Sequence, residues 1–316
     1  MKKLTAIWLS LLLVMGVLAG CAGAETDHKA KSSQNNETAT AAFPVSIKDA
    51  AGKTVEIKEQ PKRIVSLIPS NTEVAYALGL GDKMVGRSDF DNYPKEVEKV
   101  EKIGGLEFNV EKVISLKPDL VLAHASQMGS KEGFKQLEDA GIQVLTVNDA
   151  TSFKDVYKSI NTIGEATGAK EASTKLVDKM KEKLNHIKKQ AEAISKDKQK
   201  TVFVEVSGTP EIYTTGTHTF MDEMLSVIHA KNAAGDQTGW VQMTEESIIK
   251  RNPDVIVTID GSSLADLKKR DGWNAIKAVK DKQVFQLNTD LASRPGPRLV
   301  EGVEALAKSI YPDTFK

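Results

Sequence analysis

One cysteine, Cys21, occurs among 316 residues. No disulfide can therefore close within the chain, and no second thiolate is available to share a metal. Charge of one sign is also missing: 43 basic residues face 43 acidic ones. No basic patch or stripe stands out, which argues against a nucleic-acid partner. Arginine is scarce, with six in the chain, and two of them, Arg294 and Arg298, lie four residues apart. The motifs of common enzymes are absent as well. There is no Gly-x-Ser-x-Gly elbow, no phosphate-binding Walker loop and no His-Glu-x-x-His. Ser70 is followed by Asn71-Thr72-Glu73, without the lysine that a Ser-x-x-Lys nucleophile needs. Catalysis is not expected.

Long apolar runs are confined to the start. Lys2 and Lys3 precede LTAIWLSLLLVMGVLAG, a segment short for a membrane span and bounded by small residues. Residues 1–20 read as a signal peptide. Leu18-Ala19-Gly20-Cys21 resembles the lipobox of bacterial lipoproteins, so Cys21 is the expected lipid-attachment site; an ordinary signal peptide with an incidental cysteine is the alternative. Residues 21–42 are small, polar and aperiodic, a composition that cannot offset its own ordering entropy. As a flexible tether they would span roughly 25 Å.

What the chain does have is a repeat. Residues 111–122 read EKVISLKPDLVL and residues 246–257 read ESIIKRNPDVIV. Each holds a glutamate, an apolar helix end, Pro-Asp and a run that reads as a buried strand. The copies start 135 residues apart, about one domain and far more than a solenoid period. A further correspondence supports the pairing: Val144–Val147 ends in Asn148-Asp149, and Val284–Leu287 ends in Asn288-Thr289-Asp290. Two related α/β lobes follow, with a ligand cleft between them.

Within the first lobe, alternation over 45–57 around Asp49-Ala50-Ala51-Gly52 predicts a hairpin. Ile64–Ile68 predicts a buried strand ended by Pro69, and Ser70 or Asn71 is expected to cap a helix with Glu73 in its first turn. Gly79 is expected to close that helix. A helix over 110–116, a strand over 120–124, a helix near 131–140 and the strand Val144–Val147 complete a parallel β/α alternation. Between the lobes, residues 170–195 contain neither glycine nor proline. Ala172, Leu176, Met180, Leu184, Ile187, Ala191 and Ile194 form one apolar stripe, so a single helix of roughly 39 Å is expected. The stripe could connect the lobes or be ordinary core of one; the repeat symmetry favours the connector. The expected organisation is an N-terminal lobe over 43–169, a connecting helix over 170–196 and a C-terminal lobe over 197–316.

Three segments then carry a family resemblance: RIVSLIPSNTEVAYALGLGDKMVGRSDFDNYP, VEKVISLKPDLVLA and SRPGPRLVEGVEALAKSIYPD. Together they resemble the substrate-binding proteins of ATP-driven importers for cobalamin, ferric siderophores and haem, over about residues 45–314. The resemblance implies two Rossmann-like α/β lobes joined by one long helix, the class III periplasmic-binding-protein fold. It implies a permease with its ATPase subunits as partners, a small-molecule ligand, and no intrinsic cofactor. With a lipid anchor at Cys21 it implies attachment at the outer face of a Gram-positive cell membrane. The pattern is most similar to that of the cobalamin binders, so the implied ligand is a corrinoid, with a ferric siderophore or haem as the alternative.

Carried over position by position, the resemblance implies Phe90, Tyr213 and Trp240 as aromatic walls, and Asp290 and Arg294 as polar ligand contacts. Aromatic walls with a few fixed polar groups suit a large flat ligand. Where the cobalamin pattern has first-lobe tryptophans, this chain has Leu106 and His124. His124 could ligate haem iron or cobalt, or be a polar wall residue. Arg87 and Arg294 would favour anionic ligands, while Arg298 reads more readily as structural. The resemblance further implies that Glu73 and Glu223 dock on permease arginines. The alternative for both is charge complementarity at a helix N-terminus, and Asp222 and Ser226 are neighbouring candidates for the second position. The remaining histidines are His28, His186, His218 and His229. Only His124 and His218 could meet in a cleft, fewer than the three ligands usual in an open zinc site, so a zinc or manganese receptor is a distant alternative. A surface adhesion or scaffold role would not call for Asp290 and Arg294 at one strand end.

Overall fold

The computed structural model describes residues 43–316. The signal peptide, Cys21 and the tether expected from the sequence lie outside the described residues. The chain opens with the predicted hairpin, β1 (Val45–Lys48) and β2 (Thr54–Ile57), paired antiparallel with Val45 opposite Ile57.

Next come β3 (Ile64–Ser66), α1 (Pro69–Ala77), β4 (Met84–Gly86), α2 (Val110–Ser115), β5 (Leu120–His124), α3 (Lys131–Asp139) and β6 (Gln143–Val147). Their strands form a parallel sheet in the order β4-β3-β5-β6. Proline begins α1 rather than merely ending the strand: Pro69 occupies the first turn, and Ile68 is the N-cap with no side-chain hydrogen bond. A proline fits there because the first helical N–H needs no intrahelical partner. Ser70 and Asn71 therefore lie inside the helix, and no acid is in its first turn. Glu73 is one position too deep to act as a dipole cap.

Two helices follow, α4 (Phe153–Thr167) and α5 (Lys170–Ala191). The sequence reading has no helix at α4, although its signals are present: Ser152 caps it through Asp155 N, and Gly168 ends it at φ 72°. The 22 residues of α5 span roughly 33 Å, shorter than expected because the helix ends at Ala191. Its buried stripe of Val177, Met180, Leu184, Ile187 and Ala191 packs in one apolar cluster with residues of both sheets, Leu120 and Leu122 of β5 and Val202 and Val204 of the next strand. The stripe is thus buried core shared with both sheets.

The second half contains β7 (Thr201–Glu205), β8 (Tyr213–Thr215), α6 (Phe220–Val227), β9 (Lys231–Asn232), β10 (Trp240–Gln242), α7 (Glu245–Arg251), β11 (Val255–Thr258), α8 (Leu264–Leu267), α9 (Lys277–Lys280), β12 (Val284–Gln286), α10 (Thr289–Ser293) and α11 (Leu299–Ile310). Its parallel sheet runs β9-β7-β11-β12. In both sheets the first strand is flanked by the second and third, with the fourth outside the third. The internal repeat is thus a repeat of topology.

The Pro-Asp motif has the same task in each half. Asp119 Oδ2 accepts from the amides of Lys62 and Arg63, 2.7 and 2.9 Å away, just before β3. Asp254 Oδ2 accepts from the amide of Thr201, 2.8 Å away, at the start of β7. Each aspartate ties the start of the third strand to the start of the first, where backbone N–H groups would otherwise lack a partner. The proline before it ends the preceding helix.

One close approach positions the segment carrying Asp290 and Arg294. A Cβ on Gly302 of α11 would sit 2.4 Å from the carbonyl oxygen of Leu291 in α10. Gly302→Ala is therefore expected to push α10 away at a cost of about 1–3 kcal/mol. Urea denaturation checks this, and unchanged stability would mean that α10 relaxes freely.

Candidate ligand-binding cleft

The carboxyl ends of the β3 and β5 strands face the second half across a cleft. In parallel α/β sheets this is where loops diverge and ligands bind. The cleft holds a pocket of about 210 Å³, lined by Ser70, His124 and Asp149 on one side and by Thr219, Trp240 and Ser293 on the other. That is below the roughly 300–1,000 Å³ of ordinary small-ligand sites. The lobes stand close together in this conformation.

Of the three aromatic walls expected from the resemblance, Trp240 lines this pocket, and Phe90 and Tyr213 lie outside its lining. Phe90, in the loop after β4, is 54% exposed; Trp240 and Tyr213 are 47% and 36% exposed. The β8–β10 pairing sets Trp240 opposite Thr215 and Tyr213 opposite Gln242, so both aromatics stand on the same face of the ribbon. Phe220 supports Trp240 edge-on, with ring centroids 5.8 Å apart. Leu106 is also exposed.

His124 lies at the end of β5, lines the pocket and is buried. Its ring caps the turn that follows: Nδ1 accepts from the amide of Ser126 at 3.2 Å and lies 2.9 Å from Ser126 Oγ. Burial lowers its pKa from the ordinary value, opposed by Asp149. The cap engages Nδ1 and leaves Nε2 as the ring nitrogen outside it.

Arg87 is buried and spent on its own loop. Nε donates to the Val100 carbonyl at 3.2 Å, and Nη1 donates to the carbonyls of Ser88 and Asp91 at 3.2 and 2.9 Å. These bonds give Arg87 a structural part in its loop. A guanidinium can satisfy several carbonyls of a tight loop at once, and here it holds the segment bearing Phe90.

Asp290 and Arg294 do come together, with Arg294 Nη2 2.8 Å from Asp290 Oδ1. Arg294 also reaches the other lobe, donating to Glu73 Oε1 at 2.9 Å, Asn92 Oδ1 at 2.8 Å and the Phe90 carbonyl at 3.1 Å. Arg298 grips Glu73 with two bonds, Nε to Oε2 at 2.8 Å and Nη2 to Oε1 at 2.6 Å, while its guanidinium lies 3.8 Å from the centre of the Tyr93 ring. Arg298 is thus tied to the first half by its bonds to Glu73.

Glu73 is only 3% exposed. A surface docking acid would face solvent, whereas this carboxylate is folded inward between two arginines. Glu223 is partly buried, and its Oε2 accepts from the amide of Phe153 at 2.7 Å, at the start of α4. It complements a helix N-terminus, but that of a helix in the other half. Both acids thus join the halves. Asp222 is tied to Asn232 at 2.8 Å, and Ser226 is exposed. Among the described residues, no group of three His, Cys, Asp or Glu side chains could hold a metal ion. His186 is exposed within α5, and His218 is exposed in the loop between β8 and α6. Sequence reasoning left out Asn92, which bridges Asp290 and Arg294, and Tyr93, which stacks on Arg298. Their only signal is membership of the same loop as Phe90.

The family model for periplasmic binding proteins matches residues 64–291. An ABC transporter substrate-binding lipoprotein, YvrC, of Bacillus subtilis (strain 168) is 60% identical over 317 residues, covering all of both chains. A vitamin B12-binding protein of Photorhabdus laumondii is 28% identical over 79% of this chain and 88% of its own. A crystal structure of a possible iron-binding (periplasmic solute-binding) protein from Staphylococcus epidermidis superposes with a TM-score of 0.73, at 41% identity over 80% of this chain and all of that one. The protein therefore belongs to the periplasmic binding protein family, as an ABC transporter substrate-binding protein rather than an enzyme.

Proposed function

We propose that the protein is a lipid-anchored receptor at the outer face of the cell membrane that captures a corrinoid and passes it to an ABC permease. The observation that carries this reading is the set of exposed aromatics Phe90 in the first half and Tyr213 and Trp240 in the second, with Trp240 lining the pocket between them. Solvent-facing rings of this size need a partner to cover them, and a large flat macrocycle offers complementary area. The pocket of about 210 Å³ is too small for a macrocycle, so loading requires the halves to part. The vitamin B12-binding relative supports the corrinoid. The iron-binding neighbour, with Arg294 beside the cleft, supports a ferric chelate as the second reading. Docking through Glu73 and Glu223 would need both carboxylates to leave their present partners, which couples docking to lobe movement.

Titration with cyanocobalamin, haem and a panel of ferric siderophores tests the ligand. Trp240 is exposed and Trp273 fully buried, so fluorescence quenching on binding reports Trp240. Submicromolar cyanocobalamin binding, weakened about tenfold by Phe90→Ala (~1.4 kcal/mol), which keeps the Trp240 reporter, is the expected result. Binding of haem or a siderophore with none of cyanocobalamin would replace the corrinoid by the iron reading.

A further inference from the structure

The bonds across the cleft mouth are unequal in how readily they can be exchanged. Glu73 Oε1 receives two donors, from Arg294 and Arg298, and Oε2 receives one, from Arg298. If Arg294 leaves, both oxygens of the buried carboxylate remain paired with Arg298, which is itself held against Tyr93. If Arg298 left, Oε2 would lose its charged partner inside the protein, a costly arrangement. Arg294 is therefore the replaceable arm. Its neighbours Ser293 and Pro295 line the pocket. Asn92 completes the set, donating to Asp290 Oδ2 at 2.9 Å and accepting from Arg294 at 2.8 Å.

We infer that Glu73 and Asn92 are positioning residues of an ionic clasp that holds the empty cleft shut, and that Arg294 is the arm exchanged when a ligand enters. A carboxylate, phosphate or amide oxygen of the ligand takes the place of Glu73 on Arg294, while Arg298 keeps Glu73 neutralised. The clasp explains why the pocket is smaller than the exposed aromatics imply. It also assigns Glu73 to the cleft itself. The inference rests on the cleft being the ligand site, but its test uses the ligand-free protein. A chain that bound no corrinoid would overturn the proposed ligand and leave the clasp standing.

Hydrogen exchange of the full chain, followed by mass spectrometry, reads the clasp. Glu73→Gln and Arg294→Gln should each raise exchange about tenfold in residues 88–94 and, together with them, in 289–298. The double variant should exceed neither single one, because both changes break one clasp. Amides of β5 and β11 should keep their protection. A rise confined to α1, or additive effects in the double variant, would overturn the inference by making each residue locally structural. Should either variant lose protection in β5 and β11 as well, Asn92→Ala decides, since Asn92 is exposed and its loss spares the core. A two- to threefold rise in both segments supports the clasp, and no change in 289–298 overturns it.

Discussion

Replacing Arg270 by alanine is expected to destabilise the protein by about 3–5 kcal/mol at neutral pH. Glu205 ends β7, the first strand of the second sheet, and is 0% exposed. Arg270 holds it with two bonds, Nη2 to Oε1 at 2.8 Å and Nη1 to Oε2, and lies over the ring of buried Trp273 at 4.4 Å. Glycine at 208 keeps the space open, because a Cβ there would meet Arg270 Nη2 at 3.0 Å and Asp260 Oδ2 at 2.8 Å. Burial already pushes the Glu205 carboxyl above its ordinary pKa, with Arg270 opposing. Without the guanidinium the acid should rise further and prefer its neutral form. A carboxyl whose folded pKa is raised loses stability as pH climbs through that value and recovers it below the unfolded pKa. The deficit of Arg270→Ala should therefore be larger at pH 8 than at pH 5. Urea denaturation at the two pH values checks both size and sign. A pH-independent loss below about 1 kcal/mol would show that water enters and solvates Glu205.

The second large effect is pH dependence from Asp91. This side chain is buried beside Phe90; its Oδ2 accepts from the amide of Ser88 at 2.7 Å, and its Oδ1 has no hydrogen-bond partner among the described residues. Burial pushes its pKa up to about 6, against the lowering effect of the Ser88 bonds and of Arg294 across the cleft. Arg87 on the same loop and Tyr76 on α1 also face it. Since the folded pKa exceeds the unfolded one, stability is greatest below about pH 4 for this group and falls as pH rises through about 6. A displacement of about two units corresponds to roughly 3 kcal/mol. Asp91→Asn keeps an acceptor for Ser88 and removes the charge. It should match the native protein near pH 4 and exceed its stability by up to about 3 kcal/mol at pH 8. Parallel stability curves for the two proteins between those limits would mean that Asp91 is solvated in the folded state.

Much of this molecule is written locally. The Pro-Asp repeat reports two sheets of equal topology because proline stops a helix and a nearby aspartate can cap the adjoining strand wherever the motif occurs. The α5 stripe announces a buried helix face through spacing alone. Even α4 carries its cap and its closing glycine in the sequence, as Ser152 and Gly168, so its absence from the sequence reading reflects unused signals.

The site is less legible because its residues are defined by partners far away in the chain. Glu73 and Arg298 are 225 positions apart, and neither one's local sequence reveals that the other neutralises it. The carbonyl partners of Arg87 and the Ser126 amide on His124 Nδ1 likewise come into view only once their loops are folded. Sequence by itself determined the α/β fold with its two parallel sheets, since these follow from periodicity, turn chemistry and the Pro-Asp repeat. Only the tertiary structure decided which charges remain available to a ligand. Availability depends on desolvation and on counter-charges brought together across the two halves, and neither is a property of a segment.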